Sequence, residues 1–310
     1  MADVVFMGTP EFALPALSAL IARHRVRGVV TMPDRPAGRG LAARISPVKA
    51  LALKHNLPLL QPRSLRREEA IAALGAWPAD VYVVAAFGLI LPQRVLDIPP
   101  RGSLNVHASL LPRWRGAAPI QAAIRAGDAS SGVSLMLMDA GLDSGPVLAQ
   151  RALSLAPDET AQSLHDRLAT LGAALLIENL PDWLEGRLEP QPQDEAGVTL
   201  APQLRKEDGW IDWSQPAQDI ERQIRAFTPW PGSHTAWDGR KLKILQAEVV
   251  PGDAAPGQVV SLPDDPGIGT GAGLIRPLRL QLAGRRAQDS ADFLRGRPAF
   301  LNARLGRPDQ

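Results

Sequence analysis

Asn105 and His107 are the residues whose types and spacing most directly suggest chemistry. They open the segment Asn-Val-His-Ala-Ser-Leu-Leu-Pro, residues 105–112, where an apolar run gives way to polar side chains and a proline. Residues two apart on an extended strand project from the same face, so both side chains could converge on one atom. An amide N–H and an imidazole N–H can together stabilise a developing oxyanion. A hydrogen-bonded histidine beside a turn-forming asparagine fits this fragment equally well.

Asp143 is the third candidate. It lies in the turn-rich segment Met-Asp-Ala-Gly-Leu-Asp-Ser-Gly-Pro, residues 138–146, which follows the apolar run Val133 to Leu137. An aspartate beside His107 would fix the imidazole tautomer and make the ring a hydrogen-bond donor. Asp next to Gly is also common wherever a chain reverses, so Asp139 and Asp143 fit ordinary turns as well.

The elements that must position these residues alternate along the first half of the chain. Short apolar runs at 4–7, 25–31, 81–86 and 104–107 predict buried strands, and the segments 12–22, 47–55, 66–74 and 119–126 have helix-forming composition. This alternation predicts an α/β domain with a Rossmann-like, mostly parallel sheet and flanking helices. The carboxyl ends of such strands are where open α/β folds build their sites.

A long helix closes this first domain. Thr160 can cap it, the leucines at 164, 168, 171 and 175 fall on one face, and Gly186 stands where it could end. We predict a first domain at residues 1–187 and a linker at 188–205, which is rich in proline, glutamine and acidic residues.

The second domain, residues 206–310, is predicted to be a small OB-like β-barrel. A helical stretch at 217–227 precedes candidate strands at 233–237, 242–250, 258–262 and 278–282. The glycine-rich stretch 267–273 lacks the spacing and the βαβ context of a nucleotide loop, so we predict a turn of the barrel.

Composition limits the possible chemistry. The chain has 310 residues and no cysteine, which excludes disulfides and thiolate chemistry, and the five histidines are scattered. Only histidines and carboxylates are left as metal ligands or nucleophiles, and these counts fit a site without a metal. No run of about 18 apolar residues and no signal peptide is visible, so we expect a cytoplasmic protein without a membrane partner. The formal net charge of +2 permits contact with a nucleic acid without requiring it.

The motifs extend into a resemblance that covers nearly the whole chain. Asn-x-His followed by Ser-Leu-Leu-Pro and a distant Asp is similar to the pattern of the formyltransferases that use 10-formyltetrahydrofolate. Segments typical of the methionyl-tRNA branch of that family stand at residues 8–12, 33–40, 46–49, 105–121, 206–209, 211–213 and 225–232.

The resemblance implies direct formyl transfer from 10-formyltetrahydrofolate to the amino group of methionyl initiator tRNA. The amine attacks the formyl carbon without a covalent enzyme intermediate, Asn105 and protonated His107 hold the oxyanion, and Asp143 orients His107 and assists proton movement. The folate would be lined by two segments: Ser109, Leu110, Leu111 and Pro112, with Phe87, Gly88 and Leu89 as neighbours. We expect the enzyme to act as a monomer.

The basic loop from Pro33 to Ser46 resembles the insertion with which members of the family contact the acceptor end of the tRNA. Arg35, Arg39 and Arg44 are the candidate contacts, since arginine can pair with phosphate or stack on an unpaired base. The loop departs from the commoner family pattern, because Leu41 and Ala42 stand where a lysine pair is usual. By composition alone the loop would be a solvated basic surface loop.

Three alternatives remain open at this point. The same residues could serve a formyltransferase acting on a small amine, such as glycinamide ribonucleotide or an amino sugar. The chain could be a catalytically silent RNA-binding protein in which the α/β half is a scaffold. A hydrolase releasing formate from the same donor would admit water where the amine attacks.

Overall fold

The structure is a computed structural model that describes residues 1–37, 42–263 and 265–307. Its contacts divide the chain into two compact units. The first comprises Met1–Pro119, Ser130–Ser154 and His165–Ala201, and the second comprises Ile120–Ala129, Leu155–Leu164 and Pro202–Gln310. The predicted first domain, a continuous 1–187, stays a prediction.

The first unit holds most of the α/β elements. Its strands are β1 (Asp3–Gly8), β2 (Arg25–Val30), β3 (Arg35–Ala37), β4 (Ala42–Arg44), β5 (Leu59–Leu60), β6 (Val81–Ala85), β7 (Ser103–His107), β8 (Arg115–Gly116), β9 (Ser130–Leu137), β10 (Val147–Ser154) and β11 (Leu200–Ala201). Its helices are α1 (Leu14–Arg23), α2 (Pro47–Lys54), α3 (Glu68–Gly75), α4 (Gln93–Leu96) and most of α6 (Ala161–Leu184), whereas all but the first residue of α5 (Pro119–Ala126) is assigned to the second unit. A 3-10 turn at Glu11–Ala13 precedes α1, and another lies at Glu195–Gly197.

Seven of these strands form one sheet in the order β10-β9-β7-β6-β1-β2-β5. The pairs from β7 to β5 are parallel, whereas β9 and β10 run antiparallel at one edge. Every residue of β6 is buried, as is all of β1 except Asp3. Such strands are typical of a sheet covered on both faces. The predicted mostly parallel sheet with flanking helices is confirmed.

The antiparallel edge was only half visible in the sequence. The apolar run at 133–137 is the inner part of β9, but β10 was not predicted. Alternate residues of β10 are more exposed, because it is the edge strand, so it lacks the continuous apolar run that marks the central strands.

Local signals set the helix ends, and those at Thr160 and Gly186 were predicted. The hydroxyl of Ser46 accepts the N–H of Lys49 and caps α2. Thr160 Oγ1 accepts the N–H of Ser163 at the start of α6. After α6, the N–H of Gly186 donates to the carbonyl of Trp183, at the position where the sequence predicts the end of the helix. A side-chain cap of this kind contributes about 1 kcal/mol.

The second unit is built on antiparallel strands. They are β12 (His234–Trp237), β13 (Arg240–Val250), β14 (Val259–Ser261), β15 (Pro266–Gly269), β16 (Leu274–Leu282) and β17 (Gln288–Asp289), with helices α7 (Ala217–Ala226) and α8 (Ser290–Arg295) and 3-10 turns at Lys206–Gly209 and Pro298–Phe300. The sheet order is β12-β13-β16-β15-β14. Arg304 bridges to Gln258 beside β14 and Gly306 bridges to Ala236 of β12, so this segment links the two sheet edges. The predicted small, OB-like C-terminal domain of β-strands is confirmed, and its strands are antiparallel.

One prediction for this unit was wrong in part. Residues 267–269 belong to β15, and the turn is confined to the residues between Gly269 and Leu274. Glycine is depleted in β-strands, so the glycine-rich composition did not predict β15. Its partner residues are apolar and buried, since Ile268 pairs with Val259 and Ile275 in the core of the unit.

His234 makes the stability of the second unit depend on pH. Its side chain is buried, Nδ1 lies 2.9 Å from the carbonyl oxygen of Gly232, and Nε2 has no hydrogen-bond partner among the described residues. Burial lowers the pKa of His234, and the nearby Lys241 and Lys243 lower it further, although the Gly232 carbonyl opposes them. Between the two pKa values, the unfolded chain therefore binds a proton at His234 that the folded chain does not bind. The contribution of His234 to stability is fully present above the unfolded pKa and is lost as pH falls below it.

We expect His234→Asn to flatten this dependence, because the asparagine amide can keep the bond to Gly232 without taking up a proton. The measurement is the free energy of unfolding in urea from pH 7.5 to pH 5 for both proteins. Native protein should lose more stability than the variant over that range. Parallel curves would show that His234 does not carry the effect.

Candidate functional site

The carboxyl ends of three parallel strands place the candidate site. β1 ends at Gly8, β6 at Ala85 and β7 at His107, and parallel pairing brings these ends to the same edge of the sheet. Thr9 connects two of the segments that follow, because its hydroxyl donates to the carbonyl of Phe87 at 2.8 Å. This edge is where open α/β sheets bind their ligands.

The three predicted catalytic side chains meet at one carboxylate. Asn105 Nδ2 donates to Asp143 Oδ1 at 3.4 Å, and His107 Nδ1 lies 3.7 Å from Asp143 Oδ2. The backbone N–H of Gly116 donates to the same Oδ2 at 2.9 Å. The distance to His107 exceeds that of a hydrogen bond, so this contact is electrostatic. The convergence expected from the two-residue spacing is thus directed at Asp143.

His107 faces an acceptor with each ring nitrogen. Nε2 lies 3.0 Å from the carbonyl oxygen of Trp114, and a carbonyl can only accept, so Nε2 carries a hydrogen. Nδ1 faces the Asp143 carboxylate, and the side chain is buried. Nε2 is therefore an N–H donor, and the Asp143 carboxylate lies on the other side of the ring.

Backbone strain occurs at three residues that follow strands β6, β7 and β9. Ala86, Trp114 and Asp143 have φ angles of 47°, 63° and 49°, in the left-handed region that residues other than glycine rarely adopt. Each such residue costs on the order of 1–3 kcal/mol and persists only where its surroundings hold it. The surroundings must therefore contain interactions that stabilise these conformations.

Gly116 is one position where a side chain would not fit. Its φ is 121°, and a Cβ atom there would lie 2.6 Å from the carbonyl oxygen of Ala201. That close approach is the pairing of β8 with β11, in which Arg115 and Gly116 oppose Leu200 and Ala201. The glycine allows this pairing while its N–H reaches Asp143.

Three neighbouring residues were not singled out from the sequence. Arg115 is buried and donates through Nε to Gln193 Oε1 at 3.0 Å and through Nη2 to Glu195 Oε1 at 2.9 Å. Gln193 Nε2 donates to the carbonyl oxygens of Asp143 and Gly145 at 2.8 and 2.7 Å. Arg115 stood inside a recognised motif, but no local pattern marks the two residues of the predicted linker.

Polar groups of the predicted folate segment 109–112 form hydrogen bonds within the protein. Ser109 Oγ donates to the carbonyl of Arg113 at 2.6 Å, and the Ser109 carbonyl accepts from Ser134 Oγ at 2.7 Å. The N–H of Leu111 donates to Ser134 Oγ at 3.0 Å. Leu110 lies against Gly132 of β9. These bonds fix the course of the segment after His107.

The second predicted folate segment is more open. Phe87 is buried, Leu89 is half-buried, and the following Ile90 is 73% exposed. Gly88 has φ 91°, and the nearest atom to a Cβ placed there would be Met32 Cγ at 3.9 Å. There is consequently space beside this backbone at the carboxyl edge of the sheet.

The predicted tRNA loop is only partly described. Arg39 lies outside the described residues, as does Leu41, and Arg35 and Arg44 are placed as backbone in the β3 and β4 hairpin. The base of the loop is well anchored. Lys49 and Gln61 hydrogen-bond to Asp34 and thereby hold the pKa of that carboxyl below its usual range.

Metal ligands and membrane spans were expected to be missing. In the part of the chain that the structure describes, no three His, Asp or Glu side chains are grouped so that they could hold an ion. None of the described helices combines the length and apolarity needed to cross a membrane. The metal-free site stays a prediction.

Comparisons with known proteins agree with the motifs. The family model described as formyl transferase matches residues 2–180, and the model of the formyl transferase C-terminal domain matches residues 203–298. The methionyl-tRNA formyltransferase of Myxococcus xanthus is 49% identical over 94% of both chains. That of Chromobacterium violaceum is 50% identical over 98% of this chain and 99% of its own.

A solved structure supports the same fold at lower identity. The N-formyltransferase from Helicobacter canadensis, solved with folinic acid and dTDP-3-aminofucose, superposes with a TM-score of 0.65 at 17% identity over 89% of this chain and 99% of its own. The resemblance inferred from the motifs is confirmed by the curated relatives. The chain belongs to the methionyl-tRNA formyltransferase family.

Proposed function

We propose that this chain transfers the formyl group of 10-formyltetrahydrofolate to the α-amino group of methionyl initiator tRNA. The observation that carries the proposal is the meeting of Asn105, His107 and the Gly116 N–H at Asp143, at the carboxyl edge of the sheet. Its support from relatives is nearly full-length similarity to methionyl-tRNA formyltransferases.

Asn105 stabilises the charge that develops during transfer. The bound folate supplies the formyl carbon, and negative charge grows on the formyl oxygen as the amine adds. A planar amide carries two N–H bonds, and the contact with Asp143 uses only one of them. The second is our assigned donor to the formyl oxygen. Asp143 fixes the plane of the amide, so little reorganisation is needed during the reaction.

His107 supplies the second donor. Its Nε2–H is held by the Trp114 carbonyl. Once substrate is bound, we assign this N–H as a donor to the formyl oxygen, which replaces the Trp114 carbonyl as its acceptor. The exchange is local, because Trp114 lies in the segment that follows His107 and has a strained backbone. A hydrogen bond from an N–H to an oxyanion is stronger than one between neutral groups.

Asp143 orients the two donors and takes part in proton transfer. The attacking amine must lose one proton, and the departing folate nitrogen must gain one. Asp143 accepts from Asn105 and lies beside His107. We assign proton transfer to Asp143 and His107, through which a proton released at the amine passes to the departing nitrogen. The transfer therefore needs no covalent bond to the enzyme.

Phe87, Gly88 and Leu89 are our assigned neighbours of the folate. Space beside Gly88 and the half-buried Leu89 offer backbone polar groups and apolar surface together, as a pterin ring requires. Ser109, Leu110, Leu111 and Pro112 complete the assignment from the other side. Because the polar groups of this second segment are used internally, we expect it to contribute shape more than hydrogen bonds.

The tRNA contacts are assigned to the basic loop and to the C-terminal domain. Arg35, Arg39 and Arg44 are proposed to meet the acceptor end, and residues 206–310 to assist, joined to the catalytic domain of residues 1–187 through 188–205. We propose that the enzyme works as a monomer in the cytoplasm, where translation begins.

Arg39→Ala is expected to reduce kcat/KM for the tRNA about 10-fold, while affinity for the folate changes little. One arginine contact to a nucleic acid is worth about 1–3 kcal/mol. The measurement is steady-state kinetics with tRNA varied, beside titration of the folate. Arg66→Ala, at an exposed arginine outside the loop, is the matched control. Equal losses for tRNA and folate would contradict the assignment.

A small amine is the competing acceptor, since the Helicobacter canadensis N-formyltransferase was solved with an amino-sugar nucleotide. The test offers labelled 10-formyltetrahydrofolate with methionyl initiator tRNA, glycinamide ribonucleotide or dTDP-3-aminofucose. We expect label only in the tRNA fraction. Label in a small amine but not in tRNA would replace the proposed acceptor, and formate released without an acceptor would reveal a hydrolase.

A further inference from the structure

We propose that Gln193, in the segment predicted to be a linker, is a positioning residue for formyl transfer that acts through Asp143. This inference rests on the proposed function. Among the described residues, Gln193 has no hydrogen bond to the Asp143 carboxylate or to His107. Its amide is instead bonded to the backbone on which the carboxylate is mounted.

The amide of Gln193 uses all its polar groups within this network. Nε2 donates to the carbonyl oxygens of Asp143 at 2.8 Å and Gly145 at 2.7 Å, and Oε1 accepts from Arg115 Nε at 3.0 Å. Carbonyls only accept and a guanidinium only donates, so the reversed amide would face like groups on every side. The contacts therefore hold one orientation of Gln193.

Arg115 fixes Gln193 from the other side. Its side chain is only 8% exposed, and it also pairs with Glu195, so the buried guanidinium has charged and neutral acceptors. Its backbone N–H donates to the carbonyl of Thr199 at 2.9 Å. Segment 193–201 is thus bonded to residues 115–116 through both side chains and backbone.

Two of the groups that fix Asp143 come from consecutive residues. The N–H of Gly116 holds the carboxylate at 2.9 Å, and the side chain of Arg115 holds the Asp143 carbonyl through Gln193. Asp143 has a left-handed φ of 49°, which must be held against relaxation. Loss of the Gln193 donors frees the 143–145 backbone, and the carboxylate then drifts from Asn105 and His107.

Gln193→Met tests the donors, because methionine is similar in length but has no N–H. Gln193→Glu keeps an acceptor for Arg115 and also lacks the donors. Gln191→Met is the matched control, since Gln191 is exposed two residues away and its amide donates instead to the carbonyl of Glu189, at 3.3 Å. Thermal melting of each variant checks that it is folded.

We expect both Gln193 variants to lower kcat about 10- to 100-fold, the usual cost of losing a group that orients a catalytic residue. KM for the folate and for the tRNA should stay within about twofold, because Gln193 is not assigned to either substrate. Gln191→Met should leave kcat unchanged. Unchanged kcat in both folded Gln193 variants would overturn the proposal.

A double-mutant cycle distinguishes positioning from general support. If Gln193 acts only through Asp143, adding Gln193→Met to Asp143→Ala causes no further loss of kcat. Losses that multiply would overturn the proposal. The cycle also separates this inference from the function: native-like transfer by Asp143→Ala would reject the proposed site itself, whereas a large loss there with normal Gln193 variants rejects only the role of Gln193.

Discussion

Replacing His107 with alanine is expected to lower kcat for formyl transfer by about 10²- to 10³-fold, the usual loss when one oxyanion donor is removed. The variant loses the Nε2–H that we assign to the formyl oxygen and the ring that pairs with Asp143. KM for either substrate should change little, because this contact is strongest in the transition state.

The measurement is single-turnover transfer of labelled formyl to methionyl initiator tRNA, with the melting temperature recorded beside it. His107 is buried, and the variant loses its hydrogen bond to the Trp114 carbonyl, a net loss of about 0.5–1.5 kcal/mol of stability. His55→Ala, at an exposed histidine, should keep native rate and stability. A folded His107→Ala protein with a near-native rate would remove His107 from the mechanism.

Asp143→Asn is expected to have an effect of similar size, about 10²- to 10³-fold on kcat. The carboxylate accepts from Asn105 through one oxygen and from the Gly116 N–H through the other. An asparagine has one oxygen only, so its NH₂ group must face one of those donors. The negative charge beside His107 is lost as well.

The pattern of kinetic constants checks this prediction. We expect kcat to fall while the KM for each substrate stays within about threefold, because Asp143 is not assigned to a substrate in the ground state. Asp139→Asn is the matched control, since Asp139 lies in the same segment and bonds Ser144 and the Gly141 N–H instead. Equal losses in the two variants would mean that folding of the segment, and not the Asp143 carboxylate, is what matters.

Much of the site follows from local sequence patterns. The alternation of apolar runs and helices predicted β1, β6 and β7, and parallel pairing brings their carboxyl ends to one edge. Asn105 and His107 share a face because they are two apart on one strand. These features depend on short-range periodicity, which a single sequence displays.

Other parts of the site could not be predicted in this way. The donors and acceptors from Gly116 and Trp114 are backbone groups, which every residue has, so no residue type marks them. Gln193 reaches Asp143 across 50 residues of sequence. The pairing of β8 with β11 involves two residues on each strand, too few to show a period. The segment therefore had the composition of a linker, although part of it is bonded to the site.

The most direct test of the central claim is whether Asn105, His107 and Asp143 act as one unit in transfer to methionyl initiator tRNA. Single-turnover rates would be compared for native protein, each single alanine variant and the triple variant. We predict transfer by the native protein, a large loss in every single variant, and a triple variant within about tenfold of the slowest single, because groups that act together are not additive. Transfer by the folded triple variant at close to the native rate would contradict the account.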